Sequence, residues 1–123
     1  MTTDLTIGLA NEPGSLGAAC EALGHAGVNI EAACGVVVDG RPELHVLITD
    51  AERATRTLID AGFVILAQRQ VVAVAVENRP GAAATLLRRL TDAGVSLDLI
   101  YTTLDGRVVL GAPDTTGLRA ALS

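Results

Sequence analysis

The stretches LANEPG, at Leu9–Gly14, and VENRPG, at Val76–Gly81, determine how this sequence of 123 residues is interpreted. Each stretch follows an apolar run and precedes a segment whose apolar residues are spaced as on one face of a helix. The same Asn-x-Pro-Gly motif therefore stands twice at a predicted junction between a strand and a helix. This recurrence indicates that the chain contains an internal repeat.

The two halves of the chain are copies of one pattern. A shift of 67 positions aligns them without a gap through the first helix and into the next strand. The matched pairs are Asn11 with Asn78, Pro13 with Pro80, Gly14 with Gly81, Leu23 with Leu90, Gly27 with Gly94 and Val28 with Val95. A short unit that occurs only twice predicts two small domains, residues 1–69 and 70–123, rather than a solenoid.

The hydrophobic period changes in the same order in both copies. In the first copy, Gly27 is expected to end the first helix, Asp39-Gly40 to form a hairpin turn and Asp50 to cap a second helix. The second copy repeats these signals at Gly94, Asp105-Gly106 and Asp114. The order strand-helix-strand-strand-helix-strand predicts an α+β fold with two ferredoxin-like βαββαβ repeats side by side.

The second copy differs from the first at its end. The segment FVILAQR, residues 63–69, is expected to form the fourth strand of the first copy, whereas the second copy reaches Ser123 directly after its second helix. We therefore expect the second repeat to lack its last strand, which leaves the edge of the strand Val71–Glu77 open. Because this strand contains no proline or lysine to discourage pairing, we expect a homodimer that covers the edge, unless the linker Gln68–Gln70 folds back over it.

The corner motif itself has two interpretations. Pro13 and Pro80 suit the first turn of a helix, where a missing N–H costs nothing, and the two asparagines can accept hydrogen bonds from the loop. Gly14 and Gly81 leave room for a close approach to the backbone, and a helix N-terminus attracts carboxylates. The motif is thus either a ligand-binding corner or only a well-formed helix start.

Composition and charge exclude several classes of function. The net charge is −5, and the nine basic residues, all arginine, are scattered, which argues against nucleic acid binding. The N-terminal residues lack the features of a signal peptide, and no apolar run is long enough to span a bilayer. Neither the cysteines, Cys20 and Cys34, nor the histidines, His25 and His45, have the spacing of a metal site. We expect a soluble cytoplasmic protein without metal or cofactor.

Both copies resemble the opening of an ACT domain, the small-molecule-sensing module of aspartokinase, chorismate mutase and prephenate dehydrogenase. The resemblance rests on the Asn-x-Pro-Gly corner, the leucine-striped helix and the entry to the second strand in LANEPGSLGAACEALGHAGVNI and VENRPGAAATLLRRLTDAGVSL. It covers nearly the whole chain, which is similar to free-standing proteins made of two ACT domains.

The resemblance implies that an amino acid binds where two ACT domains pair. In serine-sensing members of the family, an asparagine of the corner and an asparagine at the start of the facing domain's second strand hold the ligand. The implied site residues are Asn11, Gly14, Asn29, Ile30, Asn78, Gly81, Ser96 and Leu97. Because Ser96 replaces the second asparagine in the second copy, and Leu9 and Val76 replace a corner histidine, the two sites are expected to differ and the ligand need not be serine.

Three functions remain to be compared. The resemblance favours a non-catalytic regulatory protein that binds an amino acid. The alternative is an ACT-like module that binds no small molecule and only oligomerises or docks on a metabolic enzyme. An enzyme is disfavoured, because the sequence contains no nucleophile beside a base, no metal cluster and no phosphate-binding loop.

Overall fold

The computed structural model describes residues 2–123, which form two compact units, one ending at Arg69 and one beginning at Gln70. The first unit contains four strands and two helices in the predicted order. They are β1 (Thr3–Gly8), α1 (Ser15–His25), β2 (Ala32–Val38), β3 (Arg41–Ile48), α2 (Ala51–Asp60) and β4 (Val64–Gln70).

The first unit is a sheet with both helices on one face. The strand order is β2-β3-β1-β4, and β1 and β2 both pair antiparallel with β3. Leu5 and Ile7 of β1 alternate with polar residues, and they pack with Leu23 of α1 and Leu58 of α2 in one buried cluster. This alternation is the period-2 pattern of a strand with one apolar face. It fixes the face on which α1 and α2 lie.

The second unit repeats this architecture with one strand fewer. Its elements are β5 (Val72–Ala75), α3 (Ala82–Asp92), β6 (Leu99–Thr102), β7 (Arg107–Gly111) and α4 (Thr115–Leu122). They form a three-stranded sheet of order β5-β7-β6, with α3 and α4 packed on Val108 and Leu110 of the central strand. Within residues 2–123, the second sheet has three strands, as predicted. β5, which lies at the edge of this sheet, is shorter than the predicted strand Val71–Glu77.

The predicted helix caps and the predicted hairpin turn after β2 are present in the structure. Asp50 caps α2 by accepting a hydrogen bond from the Arg53 N–H at 3.2 Å, and Asp114 caps α4 by accepting one from the Gly117 N–H at 2.9 Å. Asp39 and Gly40, with φ of 50° and 77°, turn the chain from β2 to β3. Both φ values are positive, as a two-residue turn of type I′ requires. Within residues 2–123, no helix has the length and apolar character needed to cross a bilayer.

Candidate functional site

The Asn-x-Pro-Gly corner of the first unit is a β-turn that precedes the helix. The Ser15 N–H donates to the Glu12 carbonyl at 3.4 Å across Pro13 and Gly14, and Gly14 has φ 92° and ψ −11°. Proline followed by a glycine with positive φ is the signature of a type II turn. The prediction that Pro13 stands in the first helical turn was therefore wrong: α1 begins at Ser15, because the left-handed conformation of Gly14 separates the proline from the helix.

The second unit builds the same corner from a different sequence. The Ala82 N–H donates to the Arg79 carbonyl at 3.2 Å, and Gly81 has φ 86° and ψ −9°. The prediction for Pro80 fails in the same way. A Cβ added at Gly14 or Gly81 would meet no atom within 4 Å. The two glycines are thus required by backbone conformation and not by the packing of the free chain.

The helices that follow these corners start without side-chain caps. Within residues 2–123, no side chain caps α1 or α3 by accepting from its first N–H groups, whereas aspartates cap α2 and α4 in this way. The first N–H groups of a helix have no partner inside it, and they favour an anionic group. The two repeated corners therefore differ from the other helix starts in a way that suits a carboxylate.

The predicted site residues lie at the two ends of each unit. Asn11, Asn29, Asn78 and Ser96 are exposed, as are Gly14 and Gly81. Ile30 and Leu97 are half-buried, and each packs against the core of its own unit. The role of all eight residues in binding stays a prediction.

Within the first unit, Asn11 and Asn29 are far apart. The neighbouring Leu9 N–H donates to Pro42 at 3.0 Å, and the Glu31 N–H donates to Leu47 at 3.0 Å. Pro42 and Leu47 stand five residues apart on β3, which corresponds to roughly 17 Å along a strand. One unit therefore cannot place its own corner asparagine and its own second-strand asparagine on one small ligand.

The same separation holds in the second unit. Near Ser96, the Asp98 N–H donates to Gly111 at 3.0 Å. The end of β5 that leads to Asn78 pairs with Arg107, at the opposite end of β7. In each unit, the corner asparagine and the start of the second strand thus lie at opposite ends of the sheet.

A cavity lies beside the corner of the first unit, where β1 ends and β3 and β4 begin. Its volume is about 630 Å³. Neither Asn11 nor Gly14 lines it; the corner contributes Leu9, Ala10, Glu12 and Ser15 instead. Sequence reasoning missed this cavity, because its walls come from three segments that are distant in the sequence.

A smaller cavity occupies the corresponding place in the second unit. Its volume is about 300 Å³. Five lining positions are related by the repeat, and they pair Leu9 with Val76, Ala10 with Glu77, Glu12 with Arg79, Ser15 with Ala82 and Ala18 with Thr85. The cavity is therefore a recurring feature of the corner.

A buried polar cluster lies on the sheet face opposite the helices of the first unit. His45 Nδ1 is 3.0 Å from Asp4 Oδ2, and the Thr6 hydroxyl is 3.3 Å from the same oxygen. Asp4 is fully buried. The hydrogen bond to Asp4 raises the pKa of His45 above its ordinary value, and burial opposes this shift. Sequence reasoning did not connect these residues; the signal was the pairing of Thr6 with His45 across β1 and β3.

The described residues contain no group of three or more histidine, cysteine or acidic side chains placed to hold a metal ion. Cys20 and Cys34 are both free thiols that are half-buried.

Comparisons with known proteins agree with this architecture. A family model described as "ACT domain pair" matches residues 1–111. A comparison with curated proteins finds no significant match.

Two solved structures are similar over nearly the whole chain. Protein BT0572 from Bacteroides thetaiotaomicron is 26% identical, with a TM-score of 0.87, over 98% of this chain and 85% of that one. The ligand-free regulatory subunit of aspartate kinase from Thermus thermophilus is 19% identical, with a TM-score of 0.70, over 98% of this chain and 89% of that one. The second likeness is one of fold.

Proposed function

Because the chain belongs to the family of ACT domain pairs, we propose that it is a non-catalytic regulatory protein that binds an amino acid between two ACT domains. The observation that carries the proposal is the recurrence of one corner in both domains. Each corner combines an exposed asparagine with a type II turn and a helix start that has no side-chain cap. An amino acid presents the carboxylate and the ammonium that such a corner would bind.

The ligand would be held by one corner and by the start of the second strand of another domain. In this arrangement, the N–H groups of Ala83 and Ala84, which follow the turn, donate to the carboxylate. The side-chain oxygens of Asn78 and Asn29 accept from the ammonium. The complementary site pairs Asn11 with Ser96. Ile30 and Leu97, which are half-buried beside these polar groups, would contact the apolar part of the ligand. The wide separation of the half-sites within each unit supports a site shared by two domains.

The protein acts, in this proposal, in the cytoplasm and on a partner enzyme. The structural likeness to a regulatory subunit of aspartate kinase supports a partner that is a metabolic enzyme. The alternative is a module that docks on the enzyme without a small ligand. The replacement of the second asparagine by Ser96 favours that alternative for one of the two sites.

The proposal includes a homodimer that uses the edge of β5. This strand pairs with β7 and lies at the edge of the three-stranded sheet. An edge strand with unpaired N–H and C=O groups is a template for another strand, and a two-fold axis would close the assembly.

Calorimetric titration of the Asn29→Ala and Ser96→Ala variants tests the shared site. Asn29→Ala removes a hydrogen bond to a charged group, about 1.5–3 kcal/mol, which corresponds to at least about tenfold in affinity at the stronger site. Ser96→Ala should leave that site nearly unchanged. Equal losses in the two variants would contradict the assignment of Asn29.

A further inference from the structure

The cavity of the first domain is large enough to hold a small ligand. Its volume of about 630 Å³ lies in the range of small-molecule pockets, about 300–1,000 Å³. The walls come from the β1–α1 corner, the start of β3 and the start of β4. All three segments belong to one domain, so the cavity does not depend on a second one.

One part of the cavity wall is apolar and unusually exposed. The side chains of Val64 and Leu66 are 59% and 51% exposed, although both are large hydrophobic residues. Phe63, the only phenylalanine of the chain, lines the same cavity together with Leu9 and Pro42. Binding is favoured when an apolar group of a ligand displaces water from such a wall.

The cavity also carries charges of both signs. Arg41 lines it together with Glu12 and Glu43. Within residues 2–123, the side chains of these three residues form no hydrogen bond or ion pair with one another or with other residues. A guanidinium binds a carboxylate through charge-assisted hydrogen bonds, and a carboxylate binds an ammonium group in the same way. The cavity therefore suits a ligand that carries both charges next to an apolar group.

The second domain shows what the fourth strand adds to the cavity. Its corresponding cavity has about half the volume, about 300 Å³, and it has no segment equivalent to Phe63–Leu66. The apolar wall and the larger volume of the first cavity thus come with β4 and the loop before it. Arg41 has no counterpart among the residues that line the second cavity.

We infer that the first domain contains a second, self-contained site for an α-amino acid with an apolar side chain. Arg41 binds its carboxylate, Glu12 and Glu43 bind its ammonium, and Phe63, Val64 and Leu66 contact its side chain. This site goes beyond the shared site proposed above, because it uses none of the asparagines and needs only one domain.

Calorimetry on a background that weakens both shared sites, Asn29→Ala/Ser96→Ala, tests the inference. This double variant is titrated with L-leucine and L-serine, and the titrations are repeated after Ala18→Leu has been introduced into it. Ala18 is an exposed residue of α1 that lines the cavity, so a leucine there occupies the space of the ligand. Thr85→Leu, at the aligned position of the second domain, is the matched control.

The inference predicts that L-leucine binds the Asn29→Ala/Ser96→Ala protein at least tenfold more tightly than L-serine. Ala18→Leu should weaken this binding at least tenfold, and Arg41→Gln, a change on the exposed surface, should do the same; Thr85→Leu should not. Binding of L-leucine that is unaffected by Ala18→Leu and Arg41→Gln would overturn the site, as would the absence of any heat. Failure of the shared site is distinguishable, since it appears as amino-acid binding that Asn29→Ala does not alter.

Discussion

The turn that precedes α1 leads us to expect opposite effects on stability when alanine replaces Gly14 and when it replaces Gly17. Gly14 has φ 92°, in the left-handed region, whereas Gly17 lies in the helix. Neither position has an atom within 4 Å of an added Cβ, so packing contributes to neither change. The sign of each effect is therefore set by the backbone alone.

The magnitudes follow from the two conformations. Gly14→Ala places a side chain in the left-handed region, which costs about 1–2 kcal/mol, and reduced freedom of the unfolded chain offsets only part of this. We expect a net loss of about 1 kcal/mol. Gly17→Ala should instead stabilise the protein by about 0.5–1 kcal/mol, because alanine favours a helix over glycine. Gly81→Ala, with φ 86°, should reproduce the loss seen at Gly14.

Urea unfolding monitored by circular dichroism measures these differences. The midpoints should move in opposite directions for Gly14→Ala and Gly17→Ala, with the slope of the transition unchanged. If both variants moved the midpoint in the same direction, the assignment of Pro13-Gly14 to a type II turn would be refuted.

Two further predictions concern the sheet faces and edges. Because the pKa of His45 is raised above 6.5 by Asp4, the charged pair contributes stability that is fully present below pH 6.5 and is lost as pH rises through the raised pKa. The unfolding free energy of His45→Gln should therefore differ most from that of the wild type near pH 5.5 and least near pH 9, and a gap that is constant or grows with pH would contradict the pairing. Ala75→Pro on the edge strand β5 should weaken the proposed homodimer in sedimentation experiments more than Thr102→Pro on the edge strand β6; a wild-type protein that sediments as a monomer at micromolar concentration would exclude the dimer.

Much of the fold was predictable, because its signals are local. Asp50 and Asp114 cap the helices they were expected to cap, and the positive φ of Gly27 follows the end of α1. The predicted positions of Pro13 and Pro80 in the first helical turn were wrong, because proline suits both a type II turn and a first helical turn. Only the backbone angles of Gly14 distinguish the two.

The candidate site was less predictable, because it depends on residues that are distant in the sequence. The cavity of the first domain joins Glu12, Arg41 and Val64, which belong to the β1–α1 corner, β3 and β4. The pair of Asp4 and His45 depends on strand register between β1 and β3. Hydrophobic periodicity predicts the strands, but it does not predict which polar side chains meet across them.

The central claim is that this chain senses an amino acid, and a thermal unfolding screen against the free amino acids tests it most directly. A ligand at a concentration 100 times its Kd adds about 2.7 kcal/mol to the free energy of unfolding. We predict that at least one amino acid raises the midpoint of the wild-type protein and raises it less in the Asn29→Ala variant. A wild-type midpoint that no amino acid moves at 10 mM, about 100 times a Kd of 0.1 mM, would contradict the claim.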